Sequence, residues 1–217
     1  EAGKGSVEII IQVASFDYLE GGLVQAPEFG LMEHVMERRD NSRLADMILV
    51  TVLLVFGLYY AGMFRQWRRE PHLMYFSLFC LSTGLFFSID NEILATILVP
   101  GLSFPLLQKM IFLLPFSTFL SFILYVYRYL GERDNIVFLW LRRCSYFCLV
   151  LNVVLPNRYL TSFLWFGILL QIVTFACIFY AIFRNRSRGS HDSLYMVLGV
   201  FFLFVTWIYA ELRYQLA

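Results

Sequence analysis

Six long apolar runs, each closed by charged residues, fill the sequence beyond residue 46. A helix needs about 20 apolar residues to cross a hydrocarbon layer roughly 30 Å thick. Within that layer all backbone N–H and C=O groups must find partners in the chain itself, which favours helices. The spans read 47–64, 72–89, 105–127, 142–155, 159–183 and 193–212. Arg65-Gln66-Trp67-Arg68-Arg69 stops the first, and Asp90-Asn91-Glu92 the second. Arg128 closes the third, Arg142-Arg143 opens the fourth, Pro156-Asn157-Arg158 breaks it, and Arg184-Asn185-Arg186 ends the fifth. The expected fold class is therefore a membrane all-α helical bundle. Composition agrees: 59% of residues are hydrophobic and only 15% charged, against about 25% charged in soluble domains.

Orientation follows from the basic residues, since loops rich in Lys and Arg stay in the cytoplasm. One set of loops holds Arg65, Arg68, Arg69, Arg128, Arg133, Arg142, Arg143, Arg184, Arg186 and Arg188, ten in all. The other side has Lys109, Arg158, Arg213 and the three arginines Arg38, Arg39 and Arg43, six in all. This places the N-terminus on the outer, extracytoplasmic side of the membrane. Trp67 and Trp140, with Tyr125, Tyr127 and Tyr129 nearby, then sit at the inner headgroup level as amphipathic anchors. Six spans leave Ala217 outside as well, so a cytoplasmic output would need a seventh crossing.

Residues 1–46 differ in character. Residues 1–43 carry a net charge of −4, and residues 44–217 a net charge of +5. Val7–Val13 is β-branched and strand-like, Gly21-Gly22 gives a turn, and Leu23-Val24 begins a second strand. Two strands are not stable alone in water, so residues 1–30 read as a short β-hairpin remnant of an extracytoplasmic β-sandwich lying mostly upstream. No signal peptide precedes it, and the chain reads as a piece of a longer protein. Residues 31–46 read as a juxtamembrane helical connector, either leading rigidly into the first span or resting on the membrane interface, with Leu31, Met32, Val35 and Met36 on one face. Residues 47–217 form the transmembrane bundle.

The chain lacks the patterns that membrane catalysis needs. There is no H-E-x-x-H, no G-x-S-x-G and no phosphate-cradling glycine loop. Cys80, Cys144, Cys148 and Cys177 lie in or beside apolar runs and read as small hydrophobes; Cys144 and Cys148 have no third ligand to complete a metal set. The expectation is no enzyme, no metal, no cofactor and no nucleic-acid partner. Ionisable and amide groups within spans are costly and often functional. Asp46, Asp90, Glu92, Lys109, Glu211 and Arg213 are such groups, together with Gln108, Asn152 and Gln171. Gln108, Lys109, Asn152, Trp207 and Glu211 fall in the outer half and form the candidate ligand-binding set. The plain alternative is that the amides bond between helices and the charges pair at the headgroups. Gly57, Gly62, Gly167 and Gly199 read as points of close helix packing.

The order of parts resembles a bacterial receptor family, the seven-transmembrane receptors with diverse intracellular signalling modules. The residues that carry the likeness are Ile9-Ile10-Ile11-Gln12-Val13-Ala14-Ser15-Phe16-Asp17-Tyr18, Gly21-Gly22 and Phe29-Gly30, similar to the end of that family's jelly-roll domain. Ala45-Asp46, Gly57-Leu58-Tyr59-Tyr60 and Tyr75-Phe76-Ser77-Leu78-Phe79-Cys80-Leu81 extend it into the membrane. Ser15 departs from the family's usual Asn. The resemblance implies six transmembrane helices of a seven-helix sensor. An upstream carbohydrate-binding-like sandwich would take a small-molecule ligand, and a histidine kinase, diguanylate cyclase or phosphatase would be the output. It also implies a homodimer, as such outputs work in pairs. Two rivals stand beside this: a small-molecule transporter subunit using Gln108, Asn152 and Gln171, and a passive membrane anchor.

Overall fold

The computed structural model describes residues 32–90, 103–129, 136–156, 159, 164–186, 199, 200 and 205. The β-hairpin of residues 1–30 and most of the sixth span lie outside them. Five long helices are described: α1 (Met32–Gln66), α2 (Pro71–Asp90), α3 (Phe104–Tyr129), α4 (Ile136–Val154) and α5 (Leu164–Arg186). Each contains a stretch long and apolar enough to cross a membrane.

Connector and first span are one helix. No Gly or Pro interrupts residues 32–56, so nothing breaks the ladder between the amphipathic start and the apolar run. With 35 residues, α1 is about 52 Å long at 1.5 Å per residue, some 20 Å more than the hydrocarbon layer requires. It ends where the Trp67 amide donates to the Met63 carbonyl, and Glu70 N–H to Trp67 O closes the turn. Pro71 then starts α2, where its fixed φ suits a first turn and its missing N–H costs nothing.

Small residues allow α1 and α2 to approach closely. The Ser77 hydroxyl donates to the Gly57 carbonyl across the interface at 2.7 Å. Gly57 lies under Leu81, and Gly84 receives Leu53 and Leu54. The sequence expectation holds for Gly57 and Gly167, which faces Phe116. Gly62 and Gly199 are corrections: a Cβ at either would meet nothing within 4 Å among the described residues. Along α2 the buried Ser77, Cys80, Gly84 and Ser88 form a small-residue face, the usual means of bringing helix backbones together in lipid.

From α2 the bundle continues to α3 in antiparallel register. Ser82 and Ser117 hydroxyls lie 3.2 Å apart, Phe79 meets Phe122 with centroids 5.4 Å apart, and Phe76 meets Tyr125 at 5.4 Å. At the arginine-bearing end, His72 packs against Tyr129 at 6.0 Å and its Nδ1 lies 3.2 Å from Glu70 Oε2. Tyr125 thus belongs to a helix interface, whereas Trp67 and Trp140 are exposed, as anchors would be. A core of Phe122, Ile123, Val126, Phe138, Leu141, Phe175, Ile178 and Ile182 joins α3, α4 and α5, and Val200 packs into it.

The start of α4 differs from expectation. α4 starts at Ile136, six residues before Arg142, so Arg142 and Arg143 lie inside the helix. Their long stems can lie along apolar surface while the guanidinium reaches the headgroups, so arginine need not mark a helix end. Tyr159 is helical, and α5 is described from Leu164. Pro115 sits within α3 and the helix continues through it.

Candidate functional site

The polar groups gather at the end of the bundle opposite the arginines. α3 begins there, with Ser103 O accepting from the Leu106 and Leu107 amides and Pro105 in the first turn. Lys109 is therefore near the N-terminus of α3 and reaches across to α4, where its Nζ donates to the Val153 carbonyl at 3.1 Å. Val153 belongs to the last turn of α4, whose carbonyls have no intrahelical partner. The ammonium both satisfies one of them and faces the negative end of the helix dipole.

That contact sets the level of the neighbouring amides. Gln108 and Asn152 each lie one residue from it, on facing helices, and both side chains are buried, at 4% and 2% exposure. Asn152 Oδ1 finds no hydrogen-bond partner among the described residues. A buried amide oxygen without a donor costs about 1–3 kcal/mol, so packing leaves this oxygen unexplained. On α2, Asp90 reaches the same level: eight residues beyond the Ser82–Ser117 contact on each helix stand Asp90 and Lys109.

Three of the five candidate residues, Gln108, Lys109 and Asn152, therefore share one level at the α3–α4 contact. Trp207 and Glu211 lie outside the described residues, as do Glu92 and Arg213. Gln171 does not join the group. Phe119 packs on Phe175 at 5.6 Å, and Gly167 lies against Phe116, which places Gln171 deeper, alongside the turn of α3 around Pro115. A transport path through Gln108, Asn152 and Gln171 would have to join levels separated by about two helical turns. None of the described helices is broken in the manner of a carrier's binding helices.

Other hydroxyls were missed in the sequence because they interrupt no pattern. Ser82, Thr83, Ser145 and Thr174 each donate to the carbonyl four residues back, which spares an unsatisfied hydroxyl in lipid. Ser77 and Ser117 instead meet a neighbouring helix. The spacing of small residues at 77, 80, 84 and 88, one helix face, was the available signal. Among the described residues no three His, Cys, Asp or Glu side chains cluster as a metal site.

No curated protein and no solved structure matches the chain. The family described as 7TM diverse intracellular signalling matches residues 42–215, well over half of the sequence. With five membrane-length apolar helices and that match, the chain is a multi-pass membrane protein that belongs to the 7TM diverse intracellular signalling (7TMR-DISM) family.

Proposed function

We propose that this chain is the membrane-sensing part of a bacterial signal-transduction receptor. It carries the state of an extracytoplasmic sandwich domain to a cytoplasmic histidine kinase, diguanylate cyclase or phosphatase. The observation that carries the proposal is α1: the connector and the first span form one uninterrupted helix, Met32–Gln66. A tilt or shift imposed at its outer end reaches Gly57, Ser77 and Leu81 without a hinge to absorb it. The interface there is packed around glycine and one buried hydrogen bond, and packed interfaces shift between discrete arrangements more readily than they deform. A difference of about 1–3 kcal/mol between two such arrangements is enough for signalling.

In this reading the N-terminus faces outward from the plasma membrane, and the Gln108–Lys109–Asn152 level lies just under the sandwich. A small molecule, with carbohydrate the first class to try, binds the sandwich or the mouth beneath it. The receptor works as a homodimer within the lipid bilayer.

The test uses the full-length receptor and an antibody fragment against its outer domain, selected to change output in the wild type. Asn41 is exposed in the projecting part of α1. Asn41→Pro removes one helical bond and kinks the rod at a cost of about 3 kcal/mol, so the fragment should still bind while output no longer responds. Asn41→Ala should respond as wild type. A full response in N41P would reject the relay through α1 and return the chain to the anchor reading.

A further inference from the structure

α1 packs on α2, and α2 in turn on α3, so a shift of α1 reaches α3 through the side chains of α2. Phe76 stands where the two contacts meet, one residue before the Ser77–Gly57 bond. Its half-buried ring lies edge to face with Tyr60 of α1, the centroids 4.7 Å apart and the planes at 78°. The same ring meets Tyr125 of α3 at 5.4 Å. From there the contacts run on toward the arginine-bearing end: Tyr125 stacks on Tyr129 at 5.8 Å, and Tyr129 meets His72 at 6.0 Å. His72 in turn lies against Glu70, in the turn that joins α1 to α2.

A ring passes on position better than an aliphatic chain for two reasons. Aromatic pairs favour edge-to-face or offset arrangements over others, so a displaced Tyr60 sets a new preferred plane for Phe76. In a helix, moreover, long and aromatic side chains are confined to two χ1 wells, and a side chain with two wells changes place in a step. One ring serves both tyrosines, so a change of well alters both contacts together. We propose that Phe76 is the positioning residue through which α1 sets the place of Tyr125 and, beyond it, of the arginine-bearing end of α3. Its use in signalling rests on the relay through α1 proposed above; the linkage of Tyr60 to Tyr125 does not.

Two measurements test it. The first is a double-mutant cycle of Tyr60→Leu and Tyr125→Leu, read as unfolding equilibrium constants of the intact chain in mixed micelles. With Phe76 in place the two changes should couple by about three- to tenfold, the scale of an aromatic pair. In a Phe76→Leu background the coupling should fall below about twofold, the scatter of additive sites. Should F76L fail to fold, Phe76→Met, which keeps a long apolar side chain without the ring, takes its place. The second is the output of the full-length receptor with the antibody fragment against its outer domain. The fragment should bind F76L as it binds wild type, while the output response is lost. Phe119→Leu, whose ring meets Phe175 rather than the two tyrosines, should keep the response, which separates lost linkage from lost packing. Coupling below twofold with Phe76 in place, coupling undiminished in F76L, or a full output response in F76L would each overturn the proposal, as would equal loss of response in F119L. Coupling that disappears in F76L while N41P responds fully would instead reject the relay, and with it the signalling role, and leave the linkage of α1 to α3 standing.

Discussion

Gly57 offers the sharpest test of the packing on which the relay depends. A Cβ at Gly57 would stand 2.6 Å from Leu81 Cγ, 2.7 Å from its Cδ2 and 3.3 Å from its backbone nitrogen. Carbon atoms meet comfortably at about 3.5–4.0 Å, so Gly57→Ala demands about 1 Å of movement. Leu81 can turn part of the way, but its backbone nitrogen cannot, and α1 must then move off α2. That separation also lengthens the 2.7 Å bond from Ser77 to the Gly57 carbonyl. Overpacking costs about 1–3 kcal/mol, and an interhelical hydrogen bond in a membrane averages about 0.6 kcal/mol. The expected loss is therefore about 2–3 kcal/mol, measured as a lower midpoint in reversible unfolding by sodium dodecyl sulfate in mixed micelles. Gly62→Ala is the internal control, since its Cβ would meet nothing within 4 Å and alanine favours helix. Adding Leu81→Ala to G57A should restore at least about 1 kcal/mol relative to the sum of the single changes, the sign of coupling expected for a relieved clash. A G57A midpoint as high as that of G62A, or strict additivity with L81A, would refute the close approach of α1 and α2.

Other outcomes follow from the same contacts. Ser77→Ala should cost about 0.6 kcal/mol, and no more than about 1.7, because the Gly57 carbonyl keeps its own helical bond; the same micelle titration reads it. Lys109→Met removes the donor on Val153 O and should lower amide-exchange protection in the last turn of α4 by severalfold, with Lys109→Arg retaining most of it. Asn152→Leu exchanges an unsatisfied buried oxygen for an apolar group of similar size and should leave the unfolding midpoint unchanged or raised. A fall of more than about 1 kcal/mol would show that the amide is a structural bond. If Asn152 serves sensing instead, the same variant should fold normally and shift the output threshold of the full-length receptor.

Much of the bundle was legible because charge marks where a helix can leave lipid. Arg65 and Asp90 fall within one residue of the ends of α1 and α2, and Arg128 within one of the end of α3. The same rule misplaced the start of α4, since Arg142 and Arg143 lie on a helix face rather than at a terminus. Facing was not legible. Helices that are apolar all round carry no stripe to show which side meets a neighbour, so Gly62 looked equivalent to Gly57 and Gly84 drew no attention. For the site, the polar residue types were visible in the sequence, and the spatial grouping was not. Gln108 and Asn152 came to one level through the Lys109–Val153 contact, a long-range pairing that no local pattern encodes. Gln171 separated from them because register across α3 and α5 is set by Phe116, Phe119 and Phe175. The continuity of α1 could have been read from the absence of Gly and Pro between residues 32 and 56.

The central claim is that connector and first span move as one body, and a distance along α1 tests it most directly. Met36 and Leu58 are both exposed and stand 22 positions apart, about 33 Å between Cα atoms in an unbroken helix. Spin labels at Met36→Cys and Leu58→Cys, in a background lacking Cys80, Cys144, Cys148 and Cys177, should give in lipid nanodiscs a single narrow distance distribution near that separation. A broad distribution, or a second population several ångströms shorter, would place a hinge between the connector and the span and contradict the account.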